Sequence, residues 1–234
     1  MRTIMILNSK GGAGKTTLAT NLAGYYAKQG KVVALKDFDP QGSSISWLDQ
    51  RIASRPKIHG IAASRQAAGL TSSWMHRLPA QTDVQIIDSP AGVDLQKLLM
   101  DFRNADKVII PVIPSPIDIR ASAMFIKNLM KFIRIYRCGV DIGVVASRVT
   151  RRGSAFFSMK RLFRNLDIPY LATFNESEHY IRAAERGISI HEMPHFAAGD
   201  EQLEWLPLFD WIECTQEDQV ETTHTRSPTL SAAY

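Results

Sequence analysis

The sequence predicts an α/β protein: a single doubly wound, mostly parallel sheet with helices on both faces. Three observations carry that reading. Short apolar runs of strand length alternate with longer segments of helical pattern along the chain. A glycine-rich loop separates the first run from the first helix, where open α/β sheets hold anionic ligands. The second and third runs each end in carboxylates, at the strand ends that line such a crevice.

Taken in order, the first strand is Thr3–Asn8, whose continuous apolar stretch Ile4-Met5-Ile6-Leu7 suits a strand buried on both faces. A helix follows over Leu18–Gln29, closed by Gly30. Val32–Phe38 is the second strand and Ser43–Asp49 the next helix. Val84–Asp88, Val108–Val112, Ile142–Ala146 and Tyr170–Thr173 read as further strands. Helical patterns cover Ile117–Tyr136 and Ser154–Asn165, and Ile181–Glu192 reads as a helix-and-turn block. With 234 residues, no internal repeat and no linker, the chain reads as one domain over 1–214. Residues 215–234 lack apolar periodicity and mix acids with Ser, Thr and Pro, so they read as a disordered tail.

The loop is Ser9-Lys10-Gly11-Gly12-Ala13-Gly14-Lys15-Thr16-Thr17. Strand, glycine loop and helix together are the context of a phosphate-binding loop, in which backbone N–H groups form a nest for phosphate oxygens at a helix N-terminus. Lys10 through Thr17 are the candidate nucleotide contacts, with Lys15 reaching the β- and γ-phosphates and the Thr16 hydroxyl on Mg²⁺. The strict pattern has Gly where Ser9 stands, and a second lysine, Lys10, opens the loop. Asp88 is placed to hold Mg²⁺ directly or through water. Asp39 would orient the attacking water, with Asp37 ordering the metal's water shell. The competing reading is that Asp37 and Asp39 cap the helix at Ser43.

These residues resemble the ParA/MinD ATPase family with its deviant Walker motif. The resemblance rests on Lys10–Thr17, Asp37-Phe38-Asp39-Pro40-Gln41-Gly42-Ser43 and Asp88-Ser89-Pro90-Ala91-Gly92, and the Asp-Pro-Gln-Gly segment is similar to the ParA branch. Pro114–Ala121 and Ile181–Glu192 resemble two further family blocks, so the likeness runs from about Met1 to His195. It implies a phosphate-loop NTPase fold, with ATP and Mg²⁺ as ligands and ATP hydrolysis as the reaction. It also implies an ATP-dependent sandwich homodimer in which Lys10 reaches the partner's nucleotide, and a cargo-linked partner protein that stimulates hydrolysis. The family often has Asn near the adenine where this chain has Ser147.

Charge points to a surface. The net charge is +5, and Arg103 to Arg164 carries 13 basic residues against the three acids Asp106, Asp118 and Asp141. Lys127, Lys131 and Arg134 recur at helical spacing, as do Lys160, Arg161 and Arg164, with Arg151 and Arg152 just ahead. Such clusters fit sequence-independent binding to the phosphates of double-stranded DNA, or else a solvated helix face. Arg182 and Arg186 extend the candidate set, and no base-reading motif is visible.

Other classes fit less well. Cys138 and Cys214 have neither metal-cluster nor disulfide-framework spacing, and His59, His76, His179, His191 and His195 are scattered, the last two reading as surface or loop residues. Neither a signal peptide, an N-terminal DNA-binding domain nor an 18-residue apolar span is expected, which suits a cytoplasmic, nucleoid-associated bacterial protein. The tail lacks the basic amphipathic helix of a MinD-type membrane binder. No cysteine closely follows Asp88–Gly92, unlike a nitrogenase iron protein. The expected function is a DNA-binding positioning ATPase, with resemblance inclining toward the carboxysome-positioning type; plasmids and chromosomes are the other cargoes. An ATP-dependent amide synthetase on the same fold is the alternative from another class.

Overall fold

The computed structural model describes residues 1–64, 78–92 and 94–214. The tail at 215–234 and His76 lie outside the described residues. The elements run β1 (Arg2–Ile6), α1 (Lys15–Lys28), β2 (Val33–Asp37), α2 (Ser43–Asp49), β3 (Ile58–Ala62) and β4 (Val84–Asp88). They continue as α3 (Leu99–Arg103), β5 (Lys107–Val112), α4 (Pro116–Tyr136), β6 (Asp141–Val149), α5 (Ser154–Asn165) and β7 (Tyr170–Asn175). The C-terminal part is α6 (Glu178–Glu185), a 3₁₀ turn (Ile190–Glu192), α7 (His195–Leu203) and α8 (Leu206–Glu213).

Among the described residues seven strands form one parallel sheet in the order β3-β2-β4-β1-β5-β6-β7. Because side chains alternate across a strand, β1 feeds two cores. Ile4 and Ile6 pack with Leu18 and Leu22 of α1, Trp47 of α2 and Leu208 and Ile212 of α8. Met5 and Leu7 face the opposite layer, with Phe102 of α3, Ile126 and Leu129 of α4, and Met159 and Phe163 of α5. Helices therefore cover both faces, which explains why the central strands β1, β5 and β6 read as apolar-rich runs rather than alternating ones. The register sets Asp88 beside both Ile6 and Asp37, so β1, β2 and β4 end at one level.

The structure adds elements that the pattern did not show. β3 is an edge strand whose five residues include His59 and Gly60, which dilute its apolar signal. α8, Leu-Pro-Leu-Phe-Asp-Trp-Ile-Glu, is only eight residues long, and Leu206 and Trp211 outside its buried stripe blur the pattern. α8 covers the α1 face, and this placement corrects the expectation for His191, which is buried rather than on the surface. Its ring is walled by Tyr25, Trp205 and Phe209 at centroid distances of 5.1, 5.2 and 5.2 Å. Its Nε2 meets no hydrogen-bond partner among the described residues. Burial, and the nearby Lys28 cation, hold this imidazole down at about 4. His195 is exposed at the start of α7, as expected.

A buried ion pair ties α2 to the C-terminal block. Arg51 donates to both oxygens of Glu192, at 2.9 and 2.6 Å, and to the Gly187 carbonyl at 2.9 Å. Glu192 also accepts from the Ser189 amide and hydroxyl at 2.9 and 3.0 Å. Gly187 has φ +61° and comes so close that a Cβ there would lie 2.5 Å from the Arg51 nitrogen. Only glycine fits that contact without strain.

Two stability predictions arise. Removing one partner of a buried pair strands the other charge, so Arg51→Ala should lower unfolding free energy by about 3–5 kcal/mol, read from the urea midpoint. His191 takes up a proton in the unfolded chain near pH 6.5 but in the folded chain only near 4. Stability should therefore fall as pH drops through that window, by up to ~3 kcal/mol from this residue. His191→Phe should remove that component in denaturant melts across the window, and an unchanged pH slope would refute the assignment.

Candidate active site

The loop between β1 and α1 takes the shape that its glycines permit. Gly12 has φ +73° and Gly14 φ +91°, both left-handed. Gly14 caps α1 without a side chain, and a Cβ there would sit 3.6 Å from Ser147. The amide N–H groups of Gly12 through Thr17 meet no acceptor among the described residues, as an open anion nest requires. Lys15 is buried, with its ammonium donating to the Lys10 carbonyl at 3.0 Å. Burial lowers its pKa, while Asp88 and Asp39 raise it. A buried cation facing a nest of free amides has the chemistry to receive a polyphosphate.

Asp88 is the joint of the acidic side. Its Oδ2 accepts from the Thr16 hydroxyl at 2.8 Å and the Ser44 hydroxyl at 2.5 Å. Its Oδ1 is buried with no partner among the described residues. Burial pushes this carboxyl up to about 6, and neighbouring Asp37 raises it further. An orphaned carboxylate oxygen beside a threonine hydroxyl fits a hard divalent cation, which would offset both the burial and the repulsion. Asp88 and Thr16 would hold such a cation, which would supply charge neutralisation on phosphate oxygens.

Asp37 and Asp39 divide the two readings made for them. Asp37 accepts from the amides of Asp39, Ser44 and Ile45 at 2.9, 2.9 and 3.3 Å, so it caps α2. Asp39 accepts from the Gln41 amide at 3.0 Å, closing its own turn, and lies half-buried within the electrostatic reach of Lys15. The capping reading thus describes Asp37's contacts, and Asp39 is the acid left near the phosphate receptor.

Ser44 carries a role the motif did not disclose. It joins the two acids, its hydroxyl on Asp88 and its amide on Asp37, and it is fully buried. In sequence it reads as an ordinary residue of a helix start, and only the Asp37–Asp88 register exposes its position. Ser147 is buried and donates to the Ala13 carbonyl at 2.7 Å, so it braces the loop. Lys10 is half-buried, its ammonium 3.7 Å from Asp118 of its own chain at the start of α4.

Beyond the ends of β5, β6 and β7 lies a cavity of about 600 Å³, lined among others by Pro114, Ser115, Arg148, Thr150 and Glu176. Arg148 bonds Glu176 at 3.0 Å from a left-handed backbone, φ +52°.

The seven cations singled out in the sequence are all exposed, in two groups. Arg151, Arg152, Lys160, Arg161 and Arg164 lie on α5 and the loop before it, in the layer shared with α4. Arg182 and Arg186 belong to α6 and its end, whose Tyr180 packs in the opposite layer. Lys127, Lys131 and Arg134 are also exposed on α4, so α4 and α5 together present the larger basic face.

A parallel sheet with a lysine-bearing glycine nest on its central strand and a carboxylate on the adjoining strand defines a phosphate-loop nucleoside triphosphatase. The profile of the CobQ/CobB/MinD/ParA nucleotide-binding domain matches residues 4–190, and the chain belongs to that family. It is similar to the maintenance of carboxysome distribution protein A of Halothiobacillus neapolitanus, 28% identical over 200 residues, 82% of this chain and 87% of that protein. The protein of the same name from Gloeobacter kilaueensis is 30% identical over 192 residues, 81% of this chain and 83% of that one. In structure, an ATP complex of Cyanothece McdA is similar, with a TM-score of 0.70 and 20% identity, covering 92% of this chain and 98% of that one. The chain is an ATPase of the ParA/MinD partition and positioning type.

Lys15 stands at the centre of the nest, so Lys15→Ala should weaken ATP binding by roughly a hundredfold or more, the scale of losing a buried charged contact. Titration with a fluorescent ATP analogue measures this; retained affinity would displace the phosphate site from this loop.

Proposed function

We propose that this ATPase positions a cargo by switching its hold on DNA. ATP and Mg²⁺ bind between the Lys10–Thr17 loop and Asp88, with the nucleoside directed toward the cavity beyond β5–β7. Two ATP-bound chains pair face to face, and each Lys10 leaves Asp118 to reach its partner's phosphates. Asp39 orients the hydrolytic water and Asp37 holds the turn that carries it. The dimer binds duplex DNA without sequence preference and associates with the nucleoid in the cytoplasm. A cargo-linked partner stimulates hydrolysis and releases it.

The observation that carries this reading is the basic α4–α5 face on an ATPase of the positioning type. Phosphate contacts add to the counterion-release term, so a dimer that doubles them gains affinity steeply. The two carboxysome distribution proteins, similar over more than four fifths of both chains, favour a carboxysome or comparable protein body as the cargo over a plasmid or chromosome. The same similarity favours positioning over amide synthesis.

Duplex DNA of random sequence, titrated at low salt with ATP·Mg²⁺, ADP·Mg²⁺ or no nucleotide, tests the switch. Binding should be selective for ATP and fade as salt rises. Neutralising Arg151, Arg152, Lys160 and Arg161 together should flatten the salt dependence while sparing basal ATPase activity. Equal weak binding in all three nucleotide states would discard the DNA switch.

A further inference from the structure

The outward face of α5 holds more than charge. Phe157, Lys160, Arg161 and Arg164 follow one another at helical spacing and line a cleft of about 650 Å³. Asp167, Ile168, Pro169 and Tyr170 form its other wall. Phe157 is 62% exposed at the head of this face, although phenylalanine is among the residues most often buried. One turn further along α5, the Lys160 ammonium stands 4.5 Å from the centre of the Tyr170 ring. Asp167 takes a left-handed backbone, φ +54°, at the turn that closes the cleft.

A duplex needs only cations from such a face, because its phosphates are outside and its base faces are stacked within. An exposed aromatic ring beside a cation-lined cleft, with a volume in the range of small-ligand pockets, suits a different substrate. Unpaired strands are held by a positive groove that follows the backbone and by aromatic rings on which bases stack. We propose that the α5 cleft takes unpaired nucleotides of a single DNA strand, with phosphates against Lys160, Arg161 and Arg164 and a base on Phe157. This inference rests on the nucleic-acid reading above and deepens it. The chain would then have a component of DNA affinity that salt does not remove.

The test uses the full chain with ATP·Mg²⁺ and two fluorescent probes of equal length, an oligothymidylate and a mixed-sequence duplex, titrated across a salt series. Phe157→Ala should weaken oligothymidylate binding roughly tenfold at every salt concentration, the scale of one lost stacking contact, and leave the salt slope alone. Phe157→Trp should restore it, and the duplex should change by less than about twofold with either variant. Arg161→Ala with Arg164→Ala should reduce the salt slope for both probes. If Phe157→Ala leaves the single strand unaffected while the arginine changes weaken both probes, the stacking proposal is overturned and duplex binding stands. If neither probe binds, the nucleic-acid reading itself fails.

Discussion

A carboxylate kept out of water governs this molecule. Asp88 is almost wholly buried at the end of β4, and burial raises its pKa to about 6. Its anion is held there by two hydroxyls, Thr16 from α1 and Ser44 from α2, while its carbonyl accepts the Phe38 amide at 3.0 Å. Three elements distant in sequence therefore meet on one residue. Asp37 stands beside it and opposes its charge, and Lys15 offsets part of that repulsion. The arrangement leaves a local demand for positive charge, which a divalent cation meets better than any further side chain could.

The scaffold answers that demand with rigidity behind the site. Asp37 receives the first amides of α2, so the helix start and the acid turn form one unit. At the far end of α2, Arg51 is locked by Glu192 and Gly187, which fixes the helix against the C-terminal block. Glu192 is in turn held by Ser189, so the clamp has its own support. A buried pair of this kind is weak as a source of net stability, but separating its partners strands a buried charge, so the end of α2 is held where Arg51 meets Glu192. The turn bearing Asp39 is thereby presented by a helix anchored at both ends.

The legible part of this structure is what lies contiguous in the chain. An anion nest needs consecutive amides, so the glycine loop over Lys10 to Thr17 is legible in the chain, and so are the acid-ended strands. Apolar-rich runs mark β1, β2, β4 and β5 closely, because burial on both faces leaves little need for polar alternation. What stayed hidden depends on pairs far apart: Ser44 with Asp88, Arg51 with Glu192, Ser147 with Ala13. His191 reads as a surface or loop residue for the same reason, since its covering rings come from α1, α8 and the residue just before α8. β3 failed differently: at a sheet edge a strand can carry glycine and histidine, and its pattern fades.

Lys10 shows how an incomplete local arrangement can point beyond the chain. At 3.7 Å from Asp118, with both side chains partly exposed, its ion pair has little net strength. A lysine held so loosely at the mouth of a phosphate nest is free to exchange that carboxylate for a more strongly charged anion. A polyphosphate on a second chain is such an anion, and it would be met in a more enclosed setting where the attraction is stronger. The weakness of the internal pair is thus an advantage in the proposed cycle, because a tight one would oppose dimerisation. In the proposed cycle the basic α4–α5 face needs no rearrangement: its cations are already exposed in the single chain, and pairing would multiply their contacts. Nucleotide control of DNA binding then requires only that ATP govern pairing, and Lys10 is the residue through which it would do so.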